Sequence, residues 1–548
     1  MRLLFLASLL GCAAQEPAAG GRRPNVVLII TDDQGYGDLG CHGNPEIRTP
    51  HLDALAKQSV ELERFHVCPV CSPTRASLLT GRYNYRTGVV DTFIGRSLMR
   101  PEELTLAEML GGAGYRTGIF GKWHLGDNHP LRAVDQGFQE ALTLKGGGIG
   151  QPSDPPGGDR YQDPTLYRNG KPFKAKGYVT DVITDGALDF IAAGREKPFF
   201  AYIAYNAPHG PLEVPEGSLD PYKGLPDVTA RVYAMVSNID HNVGRLLAKL
   251  DDLKLAQETI FIFMTDNGPQ QARYNAGMRG QKGTVFDGGI RVPFFVRWPG
   301  RLEAGRKVDR IAAHVDVAPT LLDACRVAKP EVAFDGVSLL PLLTGTAKDW
   351  PDRTIFSQWH RGDEPVLGRA CMARSQRWKM VRLQPDAAAM LFDMAADPLE
   401  KNDVAAANPA VRDDLVKKYE AWFRDVGAAR GYAPPRIKVG TPAENPVLFT
   451  RQDWRGPKAG WGKENLGHWE IDVARAGTYE VKLIFRAPVS RARLVVAGFQ
   501  KELDLPAGAT EATFAGLALP AGPTRLEPSL ADGPSARGVD YVEMKRVE

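Results

Sequence analysis

The stretch NVVLIITDD, Asn25–Asp33, sets five consecutive apolar residues, four of them β-branched, before a threonine and two aspartates. A run of that kind fits a strand buried on both faces, as in a parallel sheet covered by helices. Similar runs recur in KPFFAYIAYNAP (197–208) and TIFIFMTDNG (259–268), and a shorter one in YRTGIFGK (115–122). Segments with helical periodicity lie between them. TPHLDALAKQSVEL (49–62) reads as a helix capped by Thr49, with Pro50 in its first turn and Leu52, Leu55, Ala56 and Val60 on one apolar stripe. LTLAEMLGGAG (104–114) carries a capping box, Thr105 with Glu108, and a glycine stop. The alternation predicts an α/β domain with a mostly parallel central sheet flanked by helices, over residues 24–345.

Beyond residue 345 the character changes. RTIFSQW, ACMARSQRWKMVRL and AMLFDMAADPLEKNDVA read as antiparallel strands, and NPAVRDDLVKKYEAWFRDVG as a covering helix, giving a small α+β subdomain over 346–435. AARGYAPPRIKVGTPAENP (428–446) reads as a linker. From 441 to 548 short alternating strands separated by turn signals predict an all-β, sandwich-like accessory module. Trp454, Trp461 and Trp469 in this module suit either sugar stacking or core packing; the alternating pattern around Trp469 favours the core for that one.

At 548 residues, with 43% hydrophobic and 24% charged residues and a formal charge of +3, the composition is that of a soluble globular protein. No basic run, zinc-ligand spacing or nucleic-acid motif points to a nucleic-acid partner. The N-terminal MRLLFLASLLGCAAQ reads as a signal segment over residues 1–14. Its LLGC resembles a lipobox, which would put a lipid anchor on Cys12, while CAAQ permits ordinary cleavage after Ala14. Either way the chain is expected to be exported: periplasmic, anchored to the outer membrane or secreted. The six cysteines, Cys12, Cys41, Cys68, Cys71, Cys325 and Cys371, form no closely spaced framework. Single Cys41–Cys68 or Cys325–Cys371 bridges are left open.

The polar residues gather where the buried runs stop. NVVLIIT ends at Asp32 and Asp33, TIFIFMT at Asp266 and Asn267, FFAYIAYNAP at His209, and YRTGIF at Lys122 and His124. Alone, each has an ordinary explanation: a turn, a helix cap, a solvated lysine, a structural histidine. Ligands of open α/β sheets, however, bind beyond the carboxyl ends of the strands, so four such ends describe one site if the strands are neighbours. Three carboxylates and an amide oxygen suit a hard divalent cation, Ca²⁺ or alternatively Mg²⁺, and the lack of histidine beside Asp266 argues against zinc. In CSPTRASLLTGRY (71–83) a cysteine precedes a Ser-Pro helix start, and a helix N-terminus is a seat for an oxyanion, with Arg75 in the first turn.

CSPTRASLLTGRY resembles the C-x-P-x-R…TGR signature of the type I sulfatases of the alkaline phosphatase superfamily. In the same family order, NVVLIITDDQGYGDLGCHGN, GIFGKWHLG, NAPHGPL, TDNG and RGQKGTVFDGGIRVPFFVRWPG resemble the family's metal strand, Lys-Trp-His segment, catalytic histidine loop, second metal segment and late lysine segment. The resemblance implies the sulfatase fold and a sulfuric ester hydrolase of the arylsulfatase type. It implies that a maturation enzyme oxidises Cys71 to Cα-formylglycine, and that Asp32, Asp33, Asp266, Asn267 and the modified Cys71 hold Ca²⁺. Arg75 and Lys122 would hold the hydrated aldehyde and His124 would deprotonate its second hydroxyl. His209 and Lys282 would contact the bridging oxygen, with His209 as proton donor, and Asp266 could take the proton of the attacking hydroxyl. The sequence departs from many relatives at VFDGG (285–289), where they have Trp-Glu-Gly-Gly. The expected substrates are aryl sulfates in vitro and a sulfated carbohydrate in nature; the alternative is a phosphonate or phosphate ester hydrolase of the same superfamily. The Gly/Pro-rich segment 145–164 is expected to shape the pocket rim, and Gln358, Trp359 and His360 to reach the site from the small subdomain.

Overall fold

A computed structural model describes residues 22–155, 160–194, 196–428, 431–533 and 535–548. The signal segment and Cys12 lie outside the described residues. Ten strands form the central sheet, in the order Lys307–Ala313, Val60–His66, Phe294–Arg297, Thr259–Thr265, Asn25–Thr31, Phe199–Ala204, Arg116–Lys122, Glu140–Leu144, Thr165–Arg168 and Lys171–Lys174. The five strands from Thr259–Thr265 to Glu140–Leu144 run parallel. Outside them the sheet is mixed: Phe294–Arg297 and the pair ending at Lys174 are antiparallel, and Lys307–Ala313 pairs parallel with Val60–His66. Every residue of Asn25–Thr31 and Thr259–Thr265 is buried, as their apolar runs require in the middle of a covered sheet.

Two local expectations fail. The helix at residue 50 stops at Lys57, and Val60–His66 is a strand in the sheet. Val60 at four residues from Ala56 continued the helical stripe, but V-E-L-E also alternates, and pairing with Lys307–Ala313 decides it. Thr49 does not cap that helix: its hydroxyl accepts from the Gly40 N–H and donates to Asp53. The Thr105–Glu108 capping box forms as expected.

Ile355–Gln358, Cys371–Arg374, Trp378–Arg382 and Met390–Asp393 make a four-stranded antiparallel sheet, and the helix Pro409–Ala428 packs on it. The C-terminal region folds as two facing sheets around one core. One holds Ile437–Val439, Trp469–Val473, Gly522–Asp532, Arg491–Val496 and Phe499–Asp504; the other holds Val447–Thr450, Tyr541–Arg546, Gly477–Ile484 and Glu511–Leu519. The segment read as a linker therefore contributes a strand, Ile437–Val439, paired with Trp469–Val473. Ile94, from the loop after the Arg75 helix, is buried in the core of these sheets. The described cysteines are all free, so neither Cys41–Cys68 nor Cys325–Cys371 is bridged. Among the described residues no helix is long and apolar enough to cross a membrane.

Candidate active site

The four strands whose tips carry polar residues stand side by side: Thr259–Thr265, Asn25–Thr31, Phe199–Ala204, Arg116–Lys122. Their tips are stitched together, with the Asp266 N–H donating to Thr31 O at 3.1 Å and the Asp32 N–H to Ala207 O at 3.2 Å. Asp33 and His124 both take left-handed backbone conformations, φ +62° and +59°. Non-glycine residues rarely do so, and they concentrate where a surrounding framework holds a functional geometry. Cys71 opens the helix Cys71–Thr80, which is buried along its whole length, and Val70 and Cys71 at its N-terminus line the cavity over the site. Pro73 is tolerated in that first turn, where its missing N–H has no partner to lose.

Asp32, Asp33, Asp266 and Asn267 are all buried, and each carboxylate has its own cation. Lys122 Nζ lies 2.5 Å from Asp32 Oδ2, Lys282 Nζ 2.6 Å from Asp33 Oδ1, and Arg75 Nη2 2.7 Å from Asp266 Oδ2. Asn267 Nδ2 donates to Asp33 Oδ1 at 2.8 Å, which orients its carbonyl oxygen away from that contact. Burial acts to raise the Asp32 carboxyl, but Lys122, His209, Arg75 and Lys282 outweigh it and hold it well below the usual range. Burial and the charge of Asp32 push Asp266 up to about 7 against the pull of Arg75.

The donor set fits a hard cation. Asp32 Oδ1, Asp33 Oδ2 and Asn267 Oδ1 are buried with no hydrogen-bond partner among the described residues. Leaving one buried polar atom unsatisfied costs about 1–3 kcal/mol, so three at one place call for an explanation. All three are oxygens, the ligand type of Ca²⁺ and Mg²⁺. The Cys71 sulfur and carboxylate oxygens of Asp32 and Asp266 all lie within 4.8 Å of one another. Burial pushes the Cys71 thiol above its ordinary value, against the pull of Lys122 and Lys282, so it does not stand as a thiolate.

The two histidines have readable tautomers. His124 Nε2 lies 2.7 Å from Thr92 O, a carbonyl that can only accept, so Nε2 carries the proton. Its Nδ1 is buried and without a partner. Burial, reinforced by Lys122, holds the ring well below its ordinary pKa and hence neutral. His209 donates from Nδ1 to Gly210 O at 2.7 Å, leaving Nε2 3.8 Å from Asp33 Oδ2. Burial lowers its pKa too, against the raising effect of Asp32 and Asp33.

A cavity of about 350 Å³ opens over Cys71, His124, His209 and Lys282. All ten site positions expected from the sequence thus meet around one cavity and its floor. Of the three residues expected to reach in from the small subdomain, Trp359 lines the cavity. Gln358 and His360 do not: the first bonds Tyr419 and Val366, the second accepts from the Val366 N–H. Asp287 of VFDGG sits apart from the cavity in a buried ion cluster, 2.6 Å from Lys379, which also pairs with Glu400 at 2.7 Å. That acid ties the loop after Lys282 to the small subdomain.

The segment 145–164 does reach the cavity, through Gly147 and Gln151, and other contacts were not individually anticipated. Gly147 lies so close to His124 that a Cβ there would be 2.7 Å from its ring, and Gly148 packs on His209. From the C-terminal sheets, Gln452 Nε2 donates to Thr92 O at 2.9 Å, the carbonyl that holds His124, and lies 3.5 Å from His124 Nε2. Trp461, one-third exposed and stacked edge-on against Phe93 at 5.1 Å, lines the cavity, whereas Trp454 and Trp469 are fully buried core residues.

The sulfatase family model matches residues 24–327, and the model of the C-terminal region of N-sulphoglucosamine sulphohydrolase matches residues 280–423. The chain is 34% identical over 391 residues to the N-acetylgalactosamine-6-sulfatase of Canis lupus familiaris, covering 66% of this chain and 72% of the relative. It is 31% identical over 509 residues to the arylsulfatase A of Homo sapiens, covering 82% and 95%. Among solved structures, Ps i-CgsB in complex with k-i-k-neocarrahexaose superposes with a TM-score of 0.68 at 29% identity, over 75% of this chain and 95% of that one. With that match added to the strand-tip site on an alkaline phosphatase-like fold, the chain belongs to the sulfatase family and is a sulfuric ester hydrolase.

Proposed function

We propose that this protein cleaves sulfate esters of carbohydrates through a Cα-formylglycine formed from Cys71, with Asp32, Asp33, Asp266 and Asn267 holding Ca²⁺. The observation that carries this reading is a set of buried oxygens on two adjacent strand tips, Asp32 Oδ1, Asp33 Oδ2 and Asn267 Oδ1, that lack hydrogen-bond partners among the described residues, with ligand atoms of Asp32, Asp266 and Cys71 within 4.8 Å of one another. The cation, when bound, supplies positive charge that orients the sulfate and offsets the charge developing on it.

Two-electron oxidation of Cys71 by a maturation enzyme that uses dioxygen as oxidant breaks the C–S bond, releases the sulfur as hydrogen sulfide and leaves an aldehyde, whose hydrate carries two hydroxyls on one carbon. One hydroxyl attacks the ester sulfur and the sugar leaves as an alcohol, giving a sulfo-enzyme. Loss of the proton from the second hydroxyl re-forms the C=O bond, breaks the C–O bond to sulfate, and restores the aldehyde. His124 suits that second proton transfer, because its Nδ1 is the bare nitrogen of a neutral ring whose other nitrogen is held by Thr92 O. Arg75 and Lys122 bring positive charge to the hydrate, and Asp266 is a candidate acceptor for the attacking hydroxyl's proton. His209 and Lys282 border the cavity where the leaving oxygen would sit. His209 serves as its proton donor, since a bound sulfate ester would favour the imidazolium that burial now disfavours.

Support for a carbohydrate comes from the relatives, one an N-acetylgalactosamine-6-sulfatase and one solved with a neocarrahexaose. The decisive experiment joins mass spectrometry of the tryptic peptide FHVCPVCSPTR (65–75) with turnover. Conversion at Cys71 and hydrolysis of an aryl sulfate well ahead of the matching aryl phosphate are expected. A fully converted enzyme that prefers the phosphate would make it a phosphoester hydrolase instead.

A further inference from the structure

The cavity over Cys71 continues. Gln151 and Trp461, which line it, also line a second cavity of about 560 Å³ walled by the C-terminal sheets. Each volume lies within the ~300–1,000 Å³ range of ligand sites, so the two together exceed what one sulfated sugar ring fills.

The second cavity is cationic. Four cations, Arg451, Lys463, Arg486 and Arg537, face two carboxylates, Asp154 and Asp540. Both carboxylates are already engaged: Asp540 accepts from the Arg486 N–H at 2.7 Å, and Asp154 from the Gly150 N–H at 2.6 Å. Arg451 is a framework group, donating to Val539 O, Gly538 O and Gly462 O, and it thereby fixes the turn that carries Trp461. The other three have charge to offer. Arg486 makes one long contact with Tyr541 Oη at 3.4 Å, Arg537 donates from one nitrogen to Ala487 O, and exposed Lys463 has no ion pair among the described residues. Guanidinium forks suit sulfate and carboxylate oxygens.

We infer that the C-terminal sheets carry a second anion subsite, so that the enzyme takes an oligosaccharide rather than an isolated sugar. The scissile sulfate lies over Cys71, Trp461 stands against the ring between, and Arg486, Arg537 and Lys463 hold an anionic substituent further along. This rests on the proposed carbohydrate sulfatase activity. It also gives Trp461 a reason to be exposed when Trp454 and Trp469 are buried.

Calorimetric titration of the full-length Cys71→Ser chain, which lacks the aldehyde, tests this without turnover, so a failed aryl sulfate assay would sink the proposed activity and leave this result readable. The probes are a carrageenan hexasaccharide, which carries sulfate alone, and a desulfated chondroitin hexasaccharide, which carries carboxylate alone. At least one should bind, lose tenfold or more in Kd in the Arg486→Ala/Arg537→Ala double variant, and change less than twofold in Arg491→Ala. The responding probe identifies the anionic group. Should the double variant misfold, Lys463→Ala, at an exposed position, should weaken the same probe several-fold. Failure of both probes to bind below 1 mM would overturn the inference. So would binding unchanged by these variants, or an equal loss in Arg491→Ala.

Discussion

Gly147→Ala should cripple the enzyme without touching an ionisable group. A Cβ at this position would stand 2.7 Å from Cε1 and Nε2 of His124 and 2.8 Å from Oε1 of Gln151, where ordinary contact begins at 3.4 Å. About 0.7 Å must be found. The ring is buried and pinned through Nε2 to Thr92 O, so the displacement falls on that hydrogen bond and on the bare Nδ1 that the second proton transfer uses. A misplacement of about 1 Å costs on the order of 10²-fold in rate, which puts the expected loss in kcat at about 10–100-fold. Overpacking also removes about 1–3 kcal/mol of stability, which leaves the protein folded. The assay is the initial rate on an aryl sulfate, normalised to the converted fraction of Cys71, beside urea denaturation. Gly112→Ala is the matched control: it lies in the helix Leu106–Gly112 with nothing within 4 Å of the new Cβ, and should gain about 0.5–1 kcal/mol at unchanged rate. A Gly147→Ala enzyme within twofold of the parent in kcat would refute both the packing argument and the role of His124.

Arg75→Ala leaves Asp266 buried without its partner and should cost about 3–5 kcal/mol in denaturant titration as well as all activity. Chelation with EGTA should abolish turnover, and Ca²⁺ should restore it; activity that survives exhaustive chelation would contradict the donor set. Gln452→Leu removes one donor to Thr92 O and should lower kcat about tenfold, the ~1.4 kcal/mol of one hydrogen bond, with little change in KM. His314, whose pKa burial lowers to about 4, stays neutral in the folded chain while the unfolded chain takes a proton near 6.5. Its contribution is therefore intact above pH 6.5 and is lost as pH falls toward 4, by up to about 3 kcal/mol. His314→Asn should flatten the fall of unfolding free energy across that window, and an unchanged slope would dismiss the assignment.

What could be read in the sequence was what the chain writes locally. Buried runs mark the central strands, and the residues that end them mark the site, because parallel neighbours bring their carboxyl ends to one edge. Val60–His66 escaped because its apolar residues satisfied two periodicities at once, and only a partner nearly 250 residues away selects the strand. Gly147 carried no signal of its need, since a glycine beside a histidine in space looks like any glycine in a Gly-rich loop. Gln452 was harder still, and Trp461 could be weighed for sugar stacking but not placed at this site. They act on a loop some 360 residues earlier, across an interface formed when Ile94 inserts into the C-terminal core, and no local pattern encodes that. The chain thus passes from Val89 and Val90, in the cores around the central sheet and the small subdomain, to Ile94, in the core of the C-terminal sheets, within a few residues.

The charge balance of the floor explains why these residues are needed together. With all three carboxylates ionised, Asp32, Asp33 and Asp266 are matched one for one by Lys122, Lys282 and Arg75, so the buried cluster is then neutral by itself and folds without a stranded charge. A divalent cation held by Asp32, Asp33, Asp266 and Asn267 would add two positive charges to that neutral set. A sulfate ester would bring one negative charge and leave one positive charge in excess, above a buried floor where it counts for more than at a surface. That excess would offset the negative charge that grows on the leaving oxygen as the S–O bond breaks, at the part of the cavity that His209 and Lys282 border. A phosphate monoester dianion would cancel the excess in the ground state. The same cluster would then bind the phosphate firmly and stabilise its transition state less, so aryl phosphate should act on the matured enzyme as a competitive inhibitor more than as a substrate. Turnover of that phosphate at a kcat matching the aryl sulfate would show that the balance of charge is not what selects the reaction.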